Sequence, residues 1–380
     1  MGRMGPVSDG GEVERSGDSS PTLPGAAAGV LHVTVSTQRR GAEVFAADLA
    51  HDLVRRGISS DVVALRAGTE RNPLPVRVLG RRELGPSTLL ALRREAHRAS
   101  AAVAHGSRTL PACAMALAAT GVPFAYRSIG DPSAWSTRGV RRVRTALLLR
   151  RARIVTVLWD GAADVLMARH GVPSAKIRVV PNGVASERCP VPDAATRLEA
   201  RRGFDVPADA PVVAYIGSLT HEKRVDDAIA AVARLPGAHL LVAGHGPGRA
   251  ALEARADRDA PARVHFVGAV PAVAPVYAAA DIVVLASRTE GMPGVLIEAG
   301  LSERPVVAYD VGAVSEVVAD GETGLLVSSG DVTALADALR RVLDDPGSMG
   351  AAARRRCLAR FEIGVVGERW AEVVGELAAG

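Results

Sequence analysis

Two carboxylates eight positions apart, Glu290 and Glu298, bracket the run Glu290-Gly291-Met292-Pro293-Gly294-Val295-Leu296-Ile297-Glu298. The run follows an apolar stretch at 281–286 that reads as a buried strand. Pro293 suits the first turn of a helix, where its missing N–H costs nothing. Gly291 and Gly294 allow close backbone approach by a ligand. The amides of Met292, Gly294 and Val295 would then point out of a helix N-terminus, which favours an anion. Glu290 falls in the loop at the mouth, and Glu298 about a turn inside the helix, on the cleft side. A glycosidase pair does not fit. Eight residues along a helix span about 12 Å, beyond the roughly 5–9.5 Å of such pairs. The better reading is ligand binding, with hydroxyls on the carboxylates and a phosphate on the amides. Spacing alone leaves open that Glu290 is a helix cap and Glu298 a solvated helix residue.

Ile216-Gly217-Ser218-Leu219-Thr220-His221-Glu222-Lys223-Arg224 likewise joins a strand to a helix. Lys223 and Arg224 would sit where a cation balances a phosphate. As bare surface charges they would oppose the helix dipole unless an anion offset them. Gly244-His245-Gly246-Pro247-Gly248 also turns a strand into a helix. It is only a partial dinucleotide fingerprint, since the last glycine is misplaced and no acid follows about 20 residues on. In the first half, Gly41 opens the first helix after Arg39 and Arg40, either of which could hold an anionic group. His105 ends a strand at 101–105, where a structural or a chemical role is open. Arg127-Ser128-Ile129-Gly130-Asp131 follows another strand and could line a cleft.

The elements that must position these loops alternate. Unalternated apolar runs at 30–36, 60–65, 101–105, 123–129, 153–158 and 177–180 read as buried parallel strands, with amphipathic segments between them. A second set follows at 211–217, 238–243, 264–267, 281–286, 305–309 and 324–327. Prolines 190, 192, 207 and 211 interrupt the rhythm. The expected order is a leader at 1–29, a Rossmann-like domain at 30–185, a linker at 186–209 and a second Rossmann-like domain at 210–362. The segment 363–380 is expected to pack back on the first domain. Two doubly wound α/β domains place a ligand cleft between their carboxyl edges.

Composition narrows the function classes. Apolar residues make up 48% of the 380, enough to bury a core, so disorder is excluded for most of the chain. Three scattered cysteines exclude a disulfide scaffold, and no Cys-x-x-Cys or His-x3-His pattern suggests a metal. No run of 18 apolar residues exists. Aromatics are too sparse for a nucleic-acid platform. The leader has no apolar core behind a basic segment, so a cytoplasmic protein is expected. The 46 cations are 44 Arg and two Lys, which reads mainly as codon bias. Yet Lys223 is one of those two, and Asn182 is one of only two Asn. One cluster, Arg138, Arg141, Arg142, Arg144, Arg150, Arg151 and Arg153, flanks Leu147-Leu148-Leu149 and could lie on an anionic lipid surface; a packed helix with a solvated basic face is the simpler reading.

In order along the chain stand Gly41-Ala42-Glu43, Val180-Pro181-Asn182-Gly183-Val184, Gly217 with Glu222-Lys223, and Gly244-His245-Gly246-Pro247. The run from Glu290 to Glu298 follows, and then Asp320-Gly321-Glu322-Thr323-Gly324-Leu325-Leu326-Val327. This ordered set resembles the nucleotide-sugar-dependent glycosyltransferases of the GT-B fold, family four, the retaining group, over about residues 30–375. The resemblance implies that the second domain binds a nucleotide diphosphate sugar, GDP- or UDP-linked. It implies Lys223 on the diphosphate, Glu290 and the amides after it on the donor sugar, and Glu298 on the ribose. Gly41, Arg224, Gly291, Met292, Pro293, Gly294 and Val295 would complete the donor site, and Lys223 and Glu290 would carry the chemistry. No metal or cofactor is implied. The first domain would bind the acceptor, a glycan, a lipid-linked group or a small molecule, with Arg40, His105, Arg127 and Asp131 as candidates. Three positions depart from the family pattern: Ser218 where many members have Arg, Arg40 where many have Gly, and Ile129 where a His is common. A sugar-nucleotide epimerase on a related two-domain fold is the alternative. Bacterial glycan or glycoconjugate synthesis, with peripheral contact at the inner membrane face, is the expected setting.

Overall fold

The computed structural model describes residues 29–69, 72–135 and 139–379. Most of the expected leader, residues 1–28, and Arg138 lie outside the described residues.

Seven strands form the first sheet: β1 (Gly29–Ser36), β2 (Ser60–Arg66), β3 (Arg77–Gly80), β4 (Ala99–His105), β5 (Phe124–Arg127), β6 (Ile154–Val157) and β7 (Ile177–Val179). Their order is β3-β2-β1-β4-β5-β6-β7, with every pairing parallel. Six strands form the second: β8 (Val212–Ile216), β9 (His239–Ala243), β10 (Val264–Gly268), β11 (Ile282–Leu285), β12 (Val306–Tyr309) and β13 (Gly324–Val327). Their order is β10-β9-β8-β11-β12-β13, again all parallel. Each sheet lies between two apolar helix layers, which is why its central strands carry apolar side chains on both faces. The strand order reverses between β1 and β4 and again between β8 and β11. Crevices for ligands open at such points, beyond the carboxyl ends of the strands. The protein is an α/β, two-domain GT-B architecture.

Two expectations need correction. The edge strand β3 was not expected, because its four residues are exposed or half-buried and lack a continuous apolar run. The stretch 186–209 is not a plain linker. It contains a helix, Ala194–Gly203, whose Asp193 cap accepts a hydrogen bond from the Thr196 amide at 2.7 Å. Arg201 of that helix is 2% exposed and pairs with Asp281 at 2.8 Å, which fixes the helix to the second sheet. The prolines around it hid ten helical residues.

The chain crosses between domains twice, side by side. Val184 N–H donates to Phe361 O at 2.9 Å, and Ile363 N–H donates to Val184 O at 3.0 Å. The helix Ile363–Ala378 then lies on the first domain. Its fully buried Trp370 shares a cluster with Phe45, Leu49 and Val103.

Candidate functional site

Both switch points face one cleft. A cavity of about 420 Å³ lies there, with Ser36, Gly41, His105 and Arg127 on one wall and Lys223, Glu290 and Gly294 on the other.

The second-domain wall is built of backbone pressed on backbone. Leu219 N–H donates to His245 O at 3.0 Å and Gly248 N–H donates to Leu219 O at 2.9 Å, so the 217–224 and 244–248 loops are zipped together. Gly244, at φ +149°, leaves no room for a Cβ, which would overlap the Gly217 carbonyl oxygen. Gly312, at φ +57°, presses in the same way on the Glu290 carbonyl oxygen. The Arg288 amide donates to Glu222 O at 2.9 Å, which ties the loop after β11 to the loop after β8. The result is one ion pair, Lys223 Nζ to Glu290 Oε1 at 2.6 Å, with Glu290 only 10% exposed.

Helix Gly294–Leu301 starts beside that pair. Pro293 is its N-cap, in extended geometry, and not a residue of the first turn. The amides that open such a helix have no partner within it, and no side-chain cap bond satisfies them here.

The first-domain wall is built of buried side chains. His32 Nδ1 and His105 Nε2 lie 3.0 Å apart, and both residues are at most 1% exposed. Burial and the nearby Arg127 charge push His32 down to about 3; burial, with His32 and Arg127 as neighbours, also lowers His105. Both imidazoles are therefore neutral at pH 7. Arg127 stacks 3.6 Å over the Phe45 ring and donates from Nη2 to Asn182 Oδ1 at 2.8 Å. Asn182 crosses the cleft, its Nδ2 donating to Met292 O at 3.3 Å. The walls also touch at Gly291, where a Cβ would overlap the Ile129 carbonyl oxygen.

Of the residues singled out from the sequence, Arg40, Gly41, His105, Arg127, Lys223, Glu290, Met292 and Gly294 line this cavity. Arg224, Asp131 and Glu298 do not. Arg224 adopts φ +47° and turns to Asp227 at 3.0 Å, near the Tyr309 ring. Asp131 caps a short turn, accepting from the Ser133 amide at 2.8 Å. Glu298 accepts a hydrogen bond from Tyr277 at 2.8 Å on the hinge side, near the Arg188–Asp48 pair; burial raises its pKa and the Tyr277 bond opposes the rise. Gly291, Pro293 and Val295 flank the cavity without lining it. Sequence reasoning missed His32. The one signal was an ionisable residue inside the mostly apolar strand β1. Asn182 stands in the Pro181-Asn182-Gly183 motif, whose spacing carries no sign that its side chain bridges the domains.

The site can neutralise an anion with Lys223 and helix amides, and can offer hydroxyls the Glu290 carboxylate. Among the described residues no group of three or more His, Cys, Asp or Glu is placed to hold a metal. Cys113, Cys189 and Cys357 are free and buried, with thiol pKa values pushed up to about 12, so none is a nucleophile here.

A ligand cleft between the carboxyl edges of two doubly wound domains is the arrangement of the GT-B fold. Residues 210–345 match the family described as glycosyl transferases group 1, and residues 39–188 match glycosyltransferase family 4. The chain belongs to this family. It is 37% identical over 207 residues to 2-deoxystreptamine glucosyltransferase of Streptomyces kanamyceticus, covering 52% of this chain and 53% of that protein. It is 32% identical over 263 residues to a GDP-mannose-dependent phosphatidylinositol monomannoside mannosyltransferase of Mycolicibacterium smegmatis, covering 64% and 68%. The matched region thus spans about half to two thirds of the length of these relatives. Anabaena HepE, solved with UDP and glucose, superposes with a TM-score of 0.81 at 22% identity, covering 91% of this chain and 99% of that one.

Proposed function

We propose that this protein transfers a hexosyl group from a UDP- or GDP-linked sugar to an acceptor, with retention at the anomeric carbon and without a metal. The observation that carries the reading is the Lys223–Glu290 pair, held at 2.6 Å beside the opening turn of helix Gly294–Leu301. As the sugar–phosphate bond breaks, negative charge builds on the leaving diphosphate. Lys223 and the opening amides stabilise that charge more in the transition state than in the ground state. A bound donor would draw Lys223 from Glu290 to phosphate and free the carboxylate for sugar hydroxyls. The acceptor then attacks from the face the diphosphate leaves, and the diphosphate takes its proton. Glu298, on the hinge side, is proposed to meet the ribose only after the domains close.

The relatives support this reading through a glucosyltransferase and a mannosyltransferase, with a UDP complex among the structural neighbours. Transfer assays with UDP-glucose, UDP-N-acetylglucosamine and GDP-mannose, with a chelator present, test it. Lys223→Ala and Glu290→Ala should each cut the rate at least about 100-fold with the fold intact. Wild-type rates in both variants would remove the assigned roles. Isomer interconversion without acceptor would favour the epimerase instead.

A lipid-linked acceptor met at a membrane face fits one further observation. On helix Gly139–Arg151, Val140, Val143 and Leu147 are 84%, 59% and 55% exposed, among exposed arginines. Their spacing puts the three on one face. No described helix is long and apolar enough to cross a membrane.

A further inference from the structure

Arg127 is a buried charge without a counter-charge. Its side chain is 1% exposed, one of its nitrogens donates to Asn182, and Nε and Nη1 have no hydrogen-bond partner. No described carboxylate forms an ion pair with it. Lys223, on the facing wall, is already paired with Glu290. Burial lowers Arg127 to about 9, which leaves it a cation at neutral pH. One more buried atom nearby is without a partner, Nδ1 of His105. Arg127 and His105 both line the cavity. A buried guanidinium with unused N–H groups is costly unless an anion or ordered water completes it, and at the edge of a cavity an entering oxyanion can do so.

We propose that Arg127, with His105 beside it, forms an oxyanion subsite on the first-domain wall that takes a phosphate-type group. His105 suits the place because its neutral ring can donate one N–H without adding charge. Asn182 sets the height of the subsite. It accepts from Arg127 and donates to Met292 O, and a Cβ on Gly294 would lie 3.4 Å from its Nδ2. The guanidinium is thus one side chain away from the start of helix Gly294–Leu301. An oxyanion between them would be held from both domains, which couples its binding to their closure. The phosphate can come from the donor diphosphate or from an anionic acceptor. The inference rests on the reading of the cleft as a nucleotide-sugar site, and its test separates the two.

Calorimetric titration of the wild type, Arg127→Gln and Arg127→Lys with UDP, GDP and inorganic phosphate decides it. If the donor supplies the group, Arg127→Gln weakens the nucleoside diphosphate roughly 10- to 100-fold, with Arg127→Lys between. If the acceptor supplies it, nucleotide affinity is unchanged. Inorganic phosphate then binds the nucleotide-saturated wild type but not Arg127→Gln. In either case the ligand-free melting temperature of Arg127→Gln holds or rises, because an uncompensated charge has gone. Equal binding of both probes by wild type and Arg127→Gln overturns the proposal. So does a fall in melting temperature with no loss of binding, which would make Arg127 a strut between Phe45 and Asn182. A wild type that binds phosphate through Arg127 but neither nucleotide would sink the donor reading and leave the subsite standing. A wild type that binds none of the probes would sink both.

Discussion

The two walls of the cleft are built by opposite means. The second-domain wall is made of glycines and backbone, and its charges, Lys223 and Glu290, are matched within 2.6 Å. The first-domain wall is made of side chains that meet across long stretches of sequence: His32 with His105, Arg127 with Phe45, and Trp370 beneath them. There the charge of Arg127 is left unmatched. A wall of backbone has little freedom to change and suits a part of the ligand common to many donors. A wall of side chains can be rebuilt residue by residue and suits a variable acceptor.

Breaking each wall should show the difference, and the largest effects should come from its structural supports. Trp370→Ala removes a fully buried ring from the cluster of Phe45, Leu49 and Val103 and should cost about 3–5 kcal/mol. Chemical unfolding should report that loss directly. The C-terminal helix would loosen from the first domain, so acceptor use should fall further than nucleotide binding. Gly312→Val should do the reverse. It places a β-branched residue at φ +57° against the Glu290 carbonyl, at a cost of at least about 2–3 kcal/mol. Nucleotide binding should be lost while the first-domain cluster stays packed. Equal damage to donor and acceptor use in both variants would break the comparison.

Acid should act on the side-chain wall. Both histidines of the pair have folded pKa values below their unfolded ones, His32 at about 3. Below about pH 6.5 the unfolded chain binds protons that the folded one excludes, so stability falls as pH falls. The contribution is intact above the unfolded pKa and is lost at about 1.4 kcal/mol per pH unit for each histidine down to its folded value. Unfolding curves between pH 6.5 and 4 should therefore be steeper in pH for the wild type than for His32→Asn/His105→Asn. Parallel slopes would mean that the pair takes up protons without unfolding.

The same contrast explains what could be read from the sequence. The second-domain site was largely legible, because Gly217, Lys223, Gly244 and the Glu290–Gly294 run lie in strand-to-helix loops whose position follows from local pattern. Where local pattern failed, a neighbour had redirected the side chain: Arg224 is drawn to Asp227, Asp131 to the Ser133 amide and Glu298 to Tyr277. The helix Ala194–Gly203 was hidden because its polar hold on the domain is two arginines, Arg197 and Arg201, on Asp281, 84 and 80 residues away. The first-domain wall was legible only as isolated residues. Nothing in the spacing of His32, Phe45, His105, Arg127 and Asn182 says that the sheet order gathers them.

The first domain departs from the second on its outer surface as well, and there the smallest effect is expected. Helix Gly139–Arg151 buries Leu149 alone among its described side chains and leaves Val140, Val143 and Leu147 in water. A soluble helix gains nothing from that stripe, whereas an interfacial helix uses it together with its arginines. Each arginine near an anionic surface contributes about 1 kcal/mol. Arg141→Glu/Arg144→Glu should then weaken flotation with anionic vesicles roughly tenfold or more and leave turnover of a water-soluble acceptor unchanged. If flotation does not depend on the anionic lipid fraction, the stripe has no membrane role. The first-domain wall would then differ from the second-domain wall inside the cleft alone.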